Sequence, residues 1–121
     1  MGDMLPPTHR ISSTAEYFAF SIARGVAHCW RTQMAQNKEN WRSLIDPENG
    51  LPDFAGLHLS DASARRMGMP LNSCAGAQMF NWLGHMITNW MGDTGFLKII
   101  DVQYRKPLWR DSLAFCRGSV V

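Results

Sequence analysis

Several patterns that would assign a class outright are missing from this 121-residue chain. It has three cysteines, Cys29, Cys74 and Cys116, an odd number at wide spacing, and no Cys-x-x-Cys or Cys-x-x-His pair. A zinc site is therefore not expected. Three reduced, mostly buried thiols in a cytoplasmic protein are the plainer expectation. No stretch approaches ~18 consecutive apolar residues, so no membrane-spanning helix is expected. The opening MGDMLPPTHR carries no apolar core behind a basic start, which argues against a secretory signal. Charged residues make up 18% of the chain and the net charge is +2. That is too weak a field to favour a nucleic-acid partner. The basic side chains gather only loosely, at Arg105, Lys106 and Arg110.

What is present is apolar and bulky. Five tryptophans and eight methionines in one domain-sized chain imply a large aromatic core or a flexibly lined apolar cavity. The first dozen residues, with Pro6 and Pro7, read as an irregular lead-in. Ser13 or Thr14 followed by Glu16 can open a helix, since a hydroxyl accepts from free N–H groups and an early acid complements the dipole. From Ala15 to about Trp41 the residues suit helix, with Tyr17, Phe20, Ala27, Trp30 and Met34 on roughly one face. Gly25 weakens its middle, so two shorter helices are expected as readily as one. The run from Asp46-Pro47 to Asn49-Gly50-Leu51-Pro52 is rich in turn signals. A short helix over Asp61–Met67, capped by Ser60 or Asp61, should stop at Gly68 and Pro70.

The strongest helix spans Ala77 to Met91 and ends at Gly92. Its apolar residues cover nearly the whole circumference, so it should be wrapped by protein, with His85 as a satisfied core histidine. "FLKIIDVQY" then places Ile100, Val102 and Tyr104 on one strand face. A turn over Pro107–Asp111 leads to "SLAFCRGSVV", and antiparallel pairing of these two strands is expected. A buried helix followed by a strand meander suggests an α+β fold of the hot-dog kind, an antiparallel sheet curled around that helix. The domain divides into a helical segment over 1–50 and a core over 51–121.

One short motif bears on chemistry. In "LPDFAGLHLSDASARRMGMP", Asp53 lies five residues before His58. On their own residues, Asp53 is equally a turn or cap residue after Pro52, and His58 a hydrogen-bonded core histidine. The wider pattern resembles the MaoC-like acyl dehydratases, the (R)-specific enoyl-CoA hydratase branch of the hot-dog superfamily. That family carries Asp-x-Asn-(Pro/Ser)-x-His, a short Ala-rich helix ending in Gly-x-Pro, a glycine opening the central helix, and a strand hairpin around Gly-Asp-Thr-Leu. The matching pieces are Asp53-Phe54-Ala55-Gly56-Leu57-His58, "DASARRMGMP", Gly76 before "AQMFNWLGHMITNWMGD", and "IIDVQYRKPLWRDSLAFCRGSVV". Ala55 and Gly56 replace the family's Asn and Pro/Ser, and the sheet is shorter at its C-terminal end.

The resemblance implies an enoyl-thioester hydratase. Carboxylate and imidazole can exchange protons with water near neutral pH. By resemblance, Asp53 and His58 activate the water and move the proton. The N–H groups of Gly76 and Ala77 would hold the thioester oxyanion, helped by the helix dipole. Met79, Phe80 and Leu83 would line the acyl pocket. No cofactor or metal is implied, with a CoA thioester as substrate and homodimers or higher oligomers as the assembly. Arg105, Lys106 and Arg110 could meet CoA phosphates or form a solvated basic turn. Cys74 near the helix start could be activated by the dipole. The competing readings are a non-catalytic acyl-binding or partner subunit, and an acyl-CoA thioesterase on the same scaffold.

Overall fold

The structure, a computed structural model, describes residues 2–25 and 56–121, together with Ile45 and Gly50. Their order is β1 (Thr8–Ile11), α1 (Thr14–Ala23), a 3-10 turn (Gly56–His58), α2 (Asp61–Arg66), α3 (Gly76–Met91) and β2 (Leu113–Cys116). The class is α+β, with three helices and a two-stranded antiparallel sheet among these residues.

The helix starts follow from local chemistry. Ser13 accepts from the Glu16 N–H at 3.1 Å and opens α1. Ser60 accepts from the Ser63 N–H at 3.1 Å and opens α2, with Asp61 in the first turn against the dipole. Helix α1 ends beside Gly25, the break that the sequence offers. Arg24 caps it and Gly25 takes φ +78°, a left-handed conformation that glycine adopts without a Cβ penalty. Tyr17 is its buried aromatic, while Ala27, Trp30 and Met34 lie outside the described residues.

Helix α3 is not wrapped on all sides. It buries Gln78, Trp82 and Met86, one stripe at intervals of four residues. Met79, Leu83 and Ile87 flank the stripe against a core of Leu5, Cys74, Trp82, Met86 and Cys116. The other side faces outward, with Phe80 at 36% exposure, and Trp90, the next step of the stripe near the helix end, is 41% exposed. His85 is on that outer side too, so it is not a core histidine: Arg10 Nη2 lies 3.2 Å from its Nδ1 and Asn89 Nδ2 lies 3.3 Å from its Nε2. A second small core joins Tyr17, Leu59 and Ala75.

The sheet corrects two expectations. The lead-in is a strand: β1 pairs antiparallel with β2, Thr8 opposite Cys116 and Ile11 opposite Leu113. The ribbon runs on toward both ends through Leu5 N–H to Gly118 O at 2.9 Å and Val120 N–H to Asp3 O at 2.8 Å. The segment 96–104 forms no strand. Its alternation sorts side chains by face but supplies no ladder partner, and β2 pairs with β1 instead.

A carboxylate ties these pieces together. Asp61 Oδ1 accepts from the Asn72 N–H at 2.8 Å, and Oδ2 pairs with Arg110 Nη2 at 2.8 Å. Arg110 N–H in turn donates to the Asn72 carbonyl at 3.0 Å. Asn72 Nδ2 reaches Thr14 Oγ1 at 3.3 Å, and Ser12 N–H donates to Ser112 O at 3.0 Å. One buried acid therefore links α2, the approach to α3, the turn before β2 and the start of α1.

Asp61→Ala should cost about 2–3 kcal/mol, because the buried Asn72 N–H loses its acceptor along with the ion pair. Arg110→Ala should cost less, about 1 kcal/mol, since water already screens the half-exposed guanidinium. Urea unfolding of the two variants measures both; equal losses would contradict this division.

Candidate active site

The approach to α3 is where the chemistry-bearing residues gather. Ser73 N–H donates to Leu57 O at 3.3 Å, and Cys74 N–H donates to Leu108 O at 2.7 Å. Residues 73–74 thus run between the 3-10 turn and the 107–112 turn. His58, at the end of the 3-10 turn, is half-buried. Its Nδ1 lies 2.7 Å from the Ser73 carbonyl, and its ring packs on Tyr17 at 5.3 Å between centroids. A carbonyl oxygen only accepts, so Nδ1 carries the proton in this bond. In the neutral ring the lone pair then sits on Nε2, the form of a base. Asp53 lies outside the described residues.

Helix α3 opens at Gly76 behind Ala75, which has extended backbone and offers no side-chain cap. The first N–H groups of a helix lack intrahelical acceptors, and those of Gly76 and Ala77 are among them. Tyr104 folds over this end. Its hydroxyl donates to Gly76 O at 2.7 Å, and a Cβ at position 76 would meet the ring at 3.2 Å. Glycine lets the ring lie this close.

Two cavities meet here. An outer one of about 310 Å³ is lined by Ser73, Gly76, Met79, Tyr104, Arg105 and Lys106, among others. A second, of about 170 Å³ and itself open to solvent, is mainly apolar, with Met79, Trp82, Leu83, Val102 and Leu108 in its wall. Met79 and Leu83 therefore reach cavity space, whereas Phe80 points outward and lines neither. Arg105 is steadied by Gln103 Oε1 at 2.7 Å. Arg110 is engaged by Asp61 and does not line the outer cavity. A larger groove of about 450 Å³ runs along the ribbon past Met4, Leu5, His9, Phe115 and Arg117. It has no helix start in its wall, so the smaller paired cavities fit the sequence chemistry better.

Cys74 is the buried, reduced thiol that the sequence favours, and not one activated by the helix start. Burial pushes its thiol up to about 11, outweighing the Ser12 hydrogen bond that lowers it, and the nearby Glu16 charge raises it further. Its Sγ donates to Gln78 Oε1 at 3.2 Å. Desolvation beats the helix dipole here, and the thiol is held protonated. Among the described residues, no three His, Cys, Asp or Glu side chains gather as a metal site. No helix among them is long and apolar enough to cross a membrane. No family model, curated protein or solved structure matches the chain.

Reasoning from sequence placed Gly76, Met79 and Leu83 near a site but missed Ser73 and Tyr104. Ser73 acts through a carbonyl, which no side-chain motif announces. Tyr104 was assigned to a strand face, although its position after Val102 marks the same inward side.

The raised Cys74 value has a sign. The unfolded thiol ionises first, so the favourable contribution is whole below about pH 9 and is lost as pH rises toward 11. The urea midpoint should therefore fall more steeply over that range in the wild type than in Cys74→Ala. Parallel curves would show that the thiol does not ionise differently in the two states.

Proposed function

We propose that the chain is an acyl-CoA hydratase/dehydratase domain of the MaoC-like, hot-dog kind, adding water to an enoyl-thioester with Asp53 and His58. The observation that carries the reading is the anchoring of His58 on Ser73. That residue lies in the wall of a cavity that also holds the first residue of α3. Arg105 and Lys106 line that cavity, and an apolar one beside Leu83 shares Met79 and Tyr104 with it. A ligand with an anionic head, a polar thioester and an apolar tail has that order of properties.

Water gives a proton to Nε2 of His58 as its oxygen bonds to the β-carbon of the enoyl group. The alkene electron pair moves toward the thioester carbonyl, whose oxygen gains negative charge. The N–H groups of Gly76 and Ala77 stabilise that charge, assisted by the positive end of the helix dipole. A proton returned through the Asp53/His58 pair to the α-carbon regenerates the carbonyl, so one water is added and the pair ends as it began. Homodimers would suit the reading, because among the described residues β1 and β2 pair only with each other and each has an outer edge that a partner can cover.

Loss of the enoyl-thioester absorbance of crotonyl-CoA tests the proposal. The wild type should turn over, and Asp53→Asn and His58→Ala should each lower the rate by about 10²–10⁴-fold with the fold intact by circular dichroism. A folded wild type that hydrates neither crotonyl-CoA nor a longer enoyl-CoA would overturn the reading.

A further inference from the structure

The hydrogen bond from Nδ1 to the Ser73 carbonyl fixes the His58 ring at one point. One such bond leaves the plane of the ring free to rock, because the outer torsion of a histidine has a broad minimum. A second contact restrains that plane. Tyr17, on α1 and only 6% exposed, lies 5.3 Å from the His58 ring between centroids, with 58° between the ring planes. This separation and tilt are those of a packed aromatic pair. Tyr17 is itself backed by Phe20, at 6.3 Å between ring centroids, and shares a buried cluster with Leu59 and Ala75. Leu59 follows His58 and Ala75 precedes Gly76, so the tyrosine stands among the chain neighbours of both the base and the helix start. The first residue of α1 is tied to the same span, since Asn72 Nδ2 donates to Thr14 Oγ1 at 3.3 Å.

We propose that Tyr17 is a positioning residue of the site: its ring fixes the plane of His58, so that Nδ1–H stays on Ser73 and the Nε2 lone pair keeps one direction. The use made of that lone pair rests on the hydratase reading above; the hold itself rests on the ring geometry. A histidine released from both restraints exchanges its proton between the two nitrogens, and the fraction with a basic Nε2 falls. The hydrogen bond and the ring contact come from different elements, one from the approach to α3 and the other from α1. Helix α1 therefore serves the site without lending it a reacting group. Tyr17 acts through His58 and not on the substrate, so its loss should lower kcat and leave KM nearly as it was.

Nitrogen chemical shifts of the neutral His58 ring test the hold without any substrate. The wild type should show a protonated Nδ1 and a bare Nε2, and Tyr17→Phe, which keeps the ring, should show the same. In Tyr17→Leu both nitrogens should move toward the average of the two tautomers. With crotonyl-CoA, kcat should fall by about tenfold or more in Tyr17→Leu and by less than about threefold in Tyr17→Phe. A folded Tyr17→Leu with wild-type ring shifts overturns the proposal. So does a Tyr17→Phe that behaves like Tyr17→Leu, because the hydroxyl and not the ring would then do the holding. A wild type that carries the proton on Nε2 overturns it too, and that result needs no variant to fold. Should Tyr17→Leu fail to fold, Tyr17→Met carries the same comparison with a longer side chain that has no ring. Ring shifts that change as expected, in a protein that does not hydrate crotonyl-CoA, support the hold and overturn only the hydratase step. Hydration by a protein whose ring shifts ignore Tyr17→Leu keeps the hydratase reading and overturns the hold.

Discussion

The buried carboxylate of Asp61 is the constraint on which the rest of the described structure depends. A lone buried acid is unfavourable unless its oxygens are satisfied, and here each oxygen is used by a different part of the chain. Asn72 takes one and Arg110 the other, and these two residues also bond to each other through their backbones. Three stretches with little regular structure of their own are thereby held in one register. The ion pair alone would contribute little, because Arg110 is partly in water. Its value lies in position: it keeps the turn before β2 against the residues that lead into α3.

That register makes the site. With residue 72 held, Ser73 and Cys74 run between the 3-10 turn and Leu108, and the Ser73 carbonyl meets His58. Two residues on, Gly76 begins α3 with its first N–H groups unclaimed by the helix. His58 and the helix start are thus tied to one short span, although they belong to different elements. The segment that carries Tyr104, Arg105 and Lys106 then forms the outer wall.

The parts legible in the sequence were those fixed by local chemistry. Ser13 and Ser60 mark helix starts because a hydroxyl can accept only near its own backbone, and both caps are present. The long apolar period from residue 77 to Met91 gave a helix that begins one residue earlier, at Gly76. Gly92, at φ +66°, closes it as expected. Non-local choices were not legible. Nothing near Thr8 says that its partner is Cys116, and the alternation over 96–104 looks the same whether or not a strand lies beside it. The surroundings of His85 reversed its expected character, since burial depends on what folds over a residue and not on its neighbours in sequence. The Asp53/His58 spacing remains half of an argument, with the geometry of His58 as the half in view.

The central claim is that an acyl-CoA meets this chain at the start of α3. Amide chemical-shift mapping during titration with butyryl-CoA tests it most directly. The account predicts the largest shifts at Gly76, Ala77, Arg105 and Lys106. Shifts confined to Thr8, His9 and Phe115, along the ribbon groove, would contradict it, as would a spectrum that does not change.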